Sequence, residues 1–301
     1  MKYYFIMNPV TGSSDKTAIL TKEVETAFKK YPMHQYEIYV TKTKGDGMRF
    51  VREVSSKITE DTVFIACGGD GTTYEVLNGI KNFDKSILGV ISVGSCNDFL
   101  KCFKEQDFRT IEKCINVEPR NIDIIKCNNS YALNEVNIGF DAMVNDDCNR
   151  IKERTKNVKT AYNRAIFKNI ILKKTPYALV VVDEEKFYEG KILLMTFANG
   201  KYYGGGYKAA PNAIVDDGLL ETLVVKNISR VRFVMLVKDY KAGTHLEKKK
   251  FKSIIHYARS KKIRIKFNKD ACICLDGEIS YNNRVDIEIE PAKLKFIIPG
   301  V

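Results

Sequence analysis

No apolar run in this 301-residue chain is long enough to cross a bilayer, which takes about 20 consecutive residues. A spanning helix is therefore not expected. The opening residues, Met1 to Met7, are too short for a signal peptide and run into Asn8-Pro9, so they read as a first β-strand. The eight cysteines form no C-x-x-C pair and no zinc spacing with the three histidines. Reduced, mostly buried thiols in a cytosolic setting are expected, with Cys272 and Cys274 on one face of a strand. The Walker A pattern G-x-x-x-x-G-K-S/T is missing, which excludes a P-loop enzyme. Internal repeats, low-complexity linkers and nucleic-acid recognition motifs are also lacking.

What is plentiful is positive charge: 49 Lys and Arg against 37 Asp and Glu, a formal net charge of +12. That balance favours an anionic partner, whether nucleotide, nucleic acid or anionic membrane. The length allows two domains with a substantial core, and a hydrophobic fraction of 45% is ordinary for a globular chain.

Residues 1–125 alternate strand-like apolar runs with amphipathic helix-like segments. Val63 to Cys67 and Ile87 to Ile91 are short continuous apolar runs, which suit parallel strands buried on both faces. Each leads through a glycine turn into a helix-like stretch, Thr72 to Ile80 and Asn97 to Phe103. Repeated βαβ units predict an open, Rossmann-like α/β domain. Residues 126–290 read differently. Tyr177 to Val182, Asp183-Glu184-Glu185-Lys186 and Lys191 to Phe197 form a hairpin signature. Further strands are expected at Leu219 to Val225, Ile263 to Phe267, Ala271 to Leu275 and Val285 to Ile289, giving an antiparallel, β-sandwich-like domain with a few helices. In the tail, 291–301, the run Leu294 to Ile298 could return to either domain. Ile151 to Lys174 is predicted as one basic amphipathic helix. It would either cover the β domain with a solvated face or rest on an anionic membrane.

Chemistry concentrates at Gly68-Gly69-Asp70-Gly71-Thr72. Glycines there permit a sharp turn and let backbone N–H groups approach a phosphate without a Cβ in the way. The following helix N-terminus favours anions. Asp70 would repel phosphate unless Mg²⁺ or a substrate hydroxyl lies between, which argues for metal-dependent phosphoryl chemistry. Asn8 to Ser13, Thr41 to Asp46 and Val93 to Phe99 are three further polar turns at the same edge of the sheet. That edge, beyond the strand carboxyl ends, is where open α/β sheets bind ligands. A side chain such as His245 in Gly243-Thr244-His245 reads as structural or surface.

Gly68 to Thr72 with Glu75-Val76 and Asn78-Gly79 resembles the GGDGTxxEVxNG block of the diacylglycerol kinase and sphingosine kinase catalytic fold. Asn8 to Gly12 is similar to its NPxxG block. Leu88 to Ile91 with Gly94 to Phe99 is similar to its LGIIPxGTxNDFAR block. Asn137 to Ala142, Ala210 to Leu220 and Leu275 to Glu278 resemble the GIGFDA, APxAxxDDGLLD and DGE blocks. The matches run in order from residue 8 to residue 278. This chain departs from the pattern at Ser92, where the family often has Pro, at Ser95 and Cys96, and at the bulky Tyr74.

The resemblance implies a bacterial soluble lipid kinase that uses ATP and Mg²⁺. The nucleotide would contact Asn8, Pro9, Val10, Thr11, Gly12, Thr41, Gly69, Asp70, Gly71, Thr72, Thr73, Tyr74, Glu75 and Ser95. Glu278 would be the catalytic base, assisted by Asp70. A structural Mg²⁺ would sit on the Asp217 side chain and the carbonyls of Ile214 and Leu219, with Asp98 and Asp216 completing an acidic network. The implied reaction phosphorylates diacylglycerol to phosphatidic acid, with a sphingoid base or ceramide as other acceptors. Implied partners are the lipid alcohol and, peripherally, the anionic inner face of the cytoplasmic membrane; no nucleic acid is expected, and a homodimer stays open. Two other readings compete. NAD kinases also use a GGDGT turn, and Asn134-Glu135 is similar to their Asn-Glu pair. A non-catalytic, charge-driven binder is the third.

Overall fold

The computed structural model describes residues 1–10, 15–94, 97–152, 155, 158–172 and 174–300. The chain divides into two compact units, Met1–Ile124 with Pro291–Val301, and Ile125–Glu290.

The first unit runs β1 (Lys2–Met7), α1 (Thr17–Phe28), β2 (Gln35–Val40), α2 (Asp46–Ser55), β3 (Thr62–Gly68), α3 (Asp70–Gly79) and β4 (Ser86–Ser92). The strands are parallel in the order β2-β1-β3-β4. Every residue of β3 is buried, as its unbroken apolar run requires of a central strand. Edge strand β2 is mostly exposed. Leu20, Val24, Ala27 and Phe28 of α1 recur at helical spacing and pack on Tyr3, Phe5, Ile65 and Ile91. Between Ser92 and residue 120 the expected helix over Asn97 to Phe103 shrinks to a 3-10 turn, Phe99–Cys102. Asn97 takes a φ of 45°, which an α-helix cannot include. The tail run settles here: Lys295 and Phe296 extend the parallel sheet beside Ile87 and Leu88 of β4, and Ile297 joins the core.

The second unit holds β5 (Arg120–Cys127), which begins in the first, then β6 (Ser130–Ala132), β7 (Glu135–Gly139), α4 (Phe140–Lys152), α5 (Val158–Leu172), β8 (Tyr177–Val182), β9 (Glu185–Ala198), β10 (Leu220–Lys226), α6 (Arg230–Ala242), β11 (Ile255–Ser260) and β12 (Lys262–Leu275). The last strand, β13 (Glu278–Phe296), returns the chain to the first unit. Pairing is antiparallel in the order β11-β10-β9-β7-β12-β13. Strands β9 and β12 each change partner midway, from β8 to β7. That switch turns a sheet into a sandwich-like body. Asp183 and Glu184 both take positive φ, the two-residue turn that the β8–β9 hairpin needs.

Most of the helix expected over 151–174 is α5, Val158–Leu172, while residues 151 and 152 end α4. Asn169 on α5 donates to Asp147 of α4 at 2.8 Å, and Lys168 pairs with the same carboxylate at 2.6 Å. In one continuous helix residues 147 and 169 would lie about 33 Å apart, so the chain must reverse between them. His245 is buried, as a structural residue. Cys272 and Cys274 are buried together on β12, and the described cysteines are free thiols.

Candidate functional site

In the first unit, the turns after β1, β2, β3 and β4 are tied together chiefly through backbone groups. Asn8 follows β1. Its side-chain N–H donates to the Thr72 hydroxyl at 3.4 Å, and its side-chain Oδ1 accepts from the Val10 N–H at 3.0 Å. Thr41, after β2, donates its hydroxyl and its N–H to the Met7 carbonyl at 3.3 and 2.9 Å. The Glu75 carboxylate accepts the N–H groups of Gly45 and Gly47 at 2.7 and 3.1 Å. Expected as a nucleotide contact, Glu75 thus holds the start of α2 in place.

The turns after β3 and β4 interlock. The N–H groups of Val93 and Gly94 both donate to the Gly68 carbonyl, at 3.2 Å each. A Cβ at Gly94 would stand 2.7 Å from the Gly69 Cα, and one at Gly68 would stand 2.2 Å from the Thr72 hydroxyl. No side chain larger than hydrogen fits either place. Asn97 donates its N–H to Asp70 Oδ2 at 3.1 Å and its side-chain amide to the Ser92 hydroxyl at 2.5 Å. Ser92, a departure from the family's proline, thereby holds the loop. Thr73 donates to the Gly69 carbonyl at 3.2 Å at the start of α3. Burial, then the charge of neighbouring Asp98, pushes the Asp70 carboxyl up to about 6; Asp98 itself is ion-paired with Lys101. The set fits a polyphosphate: glycines a Cβ would crowd out, hydroxyls, and the amides at the start of α3, where Gly71 is exposed. Pro9 and Val10 stand at the rim, Val10 fully open to solvent, and Tyr74 is half-buried on α3. The expected contacts Thr11, Gly12 and Ser95, like Cys96, lie outside the described residues.

In the second unit, Glu278 opens β13 directly after a two-residue turn. Asp276 and Gly277 have φ of 45° and 96°, and Glu278 pairs with Leu275 across it. Asp-Gly is the favoured sequence for that turn. Sequence reading gave Asp276 no role, yet its carboxylate accepts three consecutive backbone amides, from Leu133 at 2.5 Å, Asn134 at 3.1 Å and Glu135 at 2.8 Å. These bonds anchor the hairpin that carries Glu278.

Asp217, the expected metal ligand, is already engaged. Its Oδ1 accepts the Leu219 N–H at 3.0 Å, and Oδ2 is paired with Arg259. The same guanidinium donates to buried Glu221 at 3.1 Å, and Tyr257 donates to that carboxylate at 2.7 Å. Ile214 is exposed at the surface. Among the described residues no three His, Cys, Asp or Glu side chains converge to hold a metal ion. A cation at Asp217 would have to displace a guanidinium, so this donor set does not fit a resident ion as it stands. Asp216 is exposed beside it.

The second unit also contains a cavity of about 260 Å³ that no motif announced. Tyr162, Ile166 and Ile170 of α5 and Phe233, Val234 and Val237 of α6 form much of its apolar wall. Asp141, Tyr203 and Tyr240 supply polar groups. Tyr203 donates its hydroxyl to Asp141, whose carboxyl burial raises to about 6. The Tyr240 hydroxyl and Thr196 share a bond of 3.0 Å. The spacing of the α5 apolar residues was the one sequence signal for this wall.

Residues 2–127 match the diacylglycerol kinase catalytic domain, and residues 134–298 match the YegS C-terminal NAD kinase beta sandwich-like domain. A curated Staphylococcus aureus (strain N315) protein with the provisional name of lipid kinase is 26% identical over 282 residues, covering 91% of this chain and 90% of that one. A solved Bacillus anthracis (strain Sterne) structure, provisionally named a diacylglycerol kinase, is 27% identical with a TM-score of 0.74, covering 99% and 97% of the two chains. An NAD kinase from Archaeoglobus fulgidus, solved with ATP, has a TM-score of 0.52 at 15% identity over 99% and 94%, a likeness of fold alone.

Proposed function

Because this chain belongs to the family of bacterial lipid kinases built on the diacylglycerol kinase catalytic domain, we propose that it transfers the γ-phosphate of ATP to the hydroxyl of diacylglycerol or a closely related lipid alcohol, releasing ADP. The observation that carries the lipid acceptor is the apolar cavity under α5 and α6. A walled apolar space with a few polar groups at one part of its lining suits a lipid with a polar head. The interlocked glycine turns of the first unit support the nucleotide half of the reaction.

In this reading the amides at the start of α3 and the hydroxyl of Thr72, which accepts from Asn8 and keeps its own proton to donate, hold the phosphates; Thr41 holds the turn through Met7. A lipid hydroxyl is a poor nucleophile, and Glu278 takes its proton as the phosphoryl group moves. Asp276 keeps the Glu278 hairpin in one position. Magnesium enters as part of the substrate, bound to ATP, where it neutralises phosphate charge; no step is assigned to Asp217. The enzyme works at the cytoplasmic face of an anionic membrane.

The test offers labelled ATP with dioctanoylglycerol, ceramide, sphingosine, undecaprenol and NAD. Phosphorylation of a glycerolipid is expected. Label appearing only in NADP, or in no lipid, would overturn the reading.

A further inference from the structure

The outer faces of α5 and α6 are as unusual as the cavity beneath them. Phe167, Ile171 and Leu172 on α5 and Val231, Val234 and Met235 on α6 are each at least half exposed. Residues 164, 167, 168 and 171 share one helical face, and so do 231, 234, 235 and 238. Both outer stripes are therefore apolar and basic together: Arg164 and Lys168 flank Phe167 and Ile171, and Lys238 follows Val234 and Met235. The two helices contain a single acidic residue, Asp239, which is paired with Lys250 at 3.0 Å. Arg230 at the start of α6 donates to the Ile170 and Ile171 carbonyls of α5 at 3.0 and 2.7 Å. That bond makes one surface of two helices. Val234 is both part of this surface and part of the cavity wall.

We infer that the α5–α6 face is a docking surface that inserts its apolar side chains into an anionic bilayer and opens the cavity directly to lipid. The inference rests on the lipid-kinase reading for the cavity's occupant, but not for the docking itself. Apolar side chains flanked by bases, with the nearby acids Asp147 and Asp239 each already paired with a lysine, match the interfacial level of a membrane whose headgroups are negative. A second copy of the chain is a poorer occupant, because two such faces would set lysine and arginine against lysine and arginine. The surface differs from the expected basic amphipathic helix: half of it is α6, and its apolar residues point outward rather than toward the β strands.

Sedimentation with phosphatidylglycerol–phosphatidylcholine vesicles, without ATP or acceptor, tests it. The double variant Phe167→Glu/Met235→Glu should bind at least tenfold more weakly than the unmodified chain. Its melting temperature and its turnover of the short-chain, water-dispersed dioctanoylglycerol should be unchanged, since both residues are exposed and neither lines the cavity. Arg164→Gln/Lys238→Gln should weaken binding mainly at low salt. Failure of the unmodified chain to sediment, or equal sedimentation of the Glu variant, overturns the inference. So does a dimer in gel filtration that the Glu variant dissociates. Vesicle binding as expected, with no lipid phosphorylated, would instead sink the kinase reading and leave the docking surface standing.

Discussion

The two units build their polar groups from different material. In the first, backbone groups take part in most of the contacts, and the partners lie no more than 64 residues apart: Gly45 meets Glu75 at a separation of 30, Asn97 meets Asp70 at 27 and Asn8 meets Thr72 at 64. In the second, side chains take part in every contact of the site and some partners are far more remote: Tyr203 reaches Asp141 across 62 residues, but Asp276 reaches Leu133 across 143. A site made of backbone needs glycine and a few small residues at fixed offsets, so it leaves a local motif. A site made of side chains needs only the right residue at the right place in space. On the proposed function, the first unit would handle phosphate by shape and the second the acceptor by individual groups. That contrast is open to direct attack.

The largest effect should come from the second unit. Glu278→Gln removes a proton acceptor while keeping nearly the same volume, so turnover should fall by about 10² to 10⁴-fold. Calorimetric affinity for a non-hydrolysable ATP analogue should stay as it was, because the proposed function puts nucleotide on the first unit. Unchanged turnover in initial-rate assays would remove Glu278 from the chemistry.

Gly94→Ala asks the converse question. The new Cβ would stand 2.7 Å from the Gly69 Cα, backbone against backbone, with no flexible side chain to yield. Overpacking of this kind costs about 1–3 kcal/mol, and it falls on the turn that shapes the phosphate cradle. ATP affinity should drop about tenfold or more, while partition of dioctanoylglycerol into the second unit stays the same. If ATP binds normally, the cradle is not where phosphate sits.

These tests bear on what was legible beforehand. The strands of the first unit and the phosphate turn could be read because apolar runs ending in glycine are a local signal. The tail beside β4 could not be placed, since Leu294 to Ile298 is equally apolar whichever sheet it joins. The reversal between α4 and α5 was invisible for a related reason: 3.6-residue spacing records a buried face, not where one helix stops and the next begins. Asp276 was read only as part of a motif, because nothing near it in sequence says that three amides 141 to 143 residues away will meet it. Arg259 was missed altogether. An arginine in an alternating strand looks solvated until Asp217 and Glu221 are folded against it.

Arg259 gives a test of middling size. Arg259→Met leaves the Glu221 carboxylate, which is buried and already held above its usual range by that burial, with the Tyr257 hydroxyl but no cation. Breaking such a pair should cost about 2 kcal/mol, less than for a wholly buried pair because the guanidinium is partly exposed. The loss should shrink as pH falls, since a protonated Glu221 needs no cation. In the same variant Asp217 is released, so added Mg²⁺ should raise the melting temperature, where it leaves that of the unmodified chain alone. A Mg²⁺ response in the unmodified chain would mean that the guanidinium yields its place to a metal.

The smallest effect is the most discriminating about the first unit. Burial, and then the charge of Asp98, pushes the Asp70 carboxyl up to about 6, so above that pH the fold bears the cost of a buried negative charge. Asp70→Asn removes that charge and can still accept the Asn97 N–H, now on an amide oxygen. The variant should therefore lose turnover and yet be more stable than the unmodified chain, by about 1 kcal/mol at pH 7.5. The sign with pH follows from linkage. The folded carboxyl binds its proton more tightly than the unfolded one, so the unmodified chain loses stability as pH rises from about 4 to about 6 and stays at the lower level above that. The advantage of Asp70→Asn should accordingly fade as pH is lowered through 6 and be nearly gone at pH 4, as read from denaturant midpoints across that range. A gain that persists at pH 4 would place its origin in packing rather than charge. An inactive variant with no gain at pH 7.5 would mean that Asp70 is solvated, and that the first unit does not store electrostatic cost at its phosphate turn.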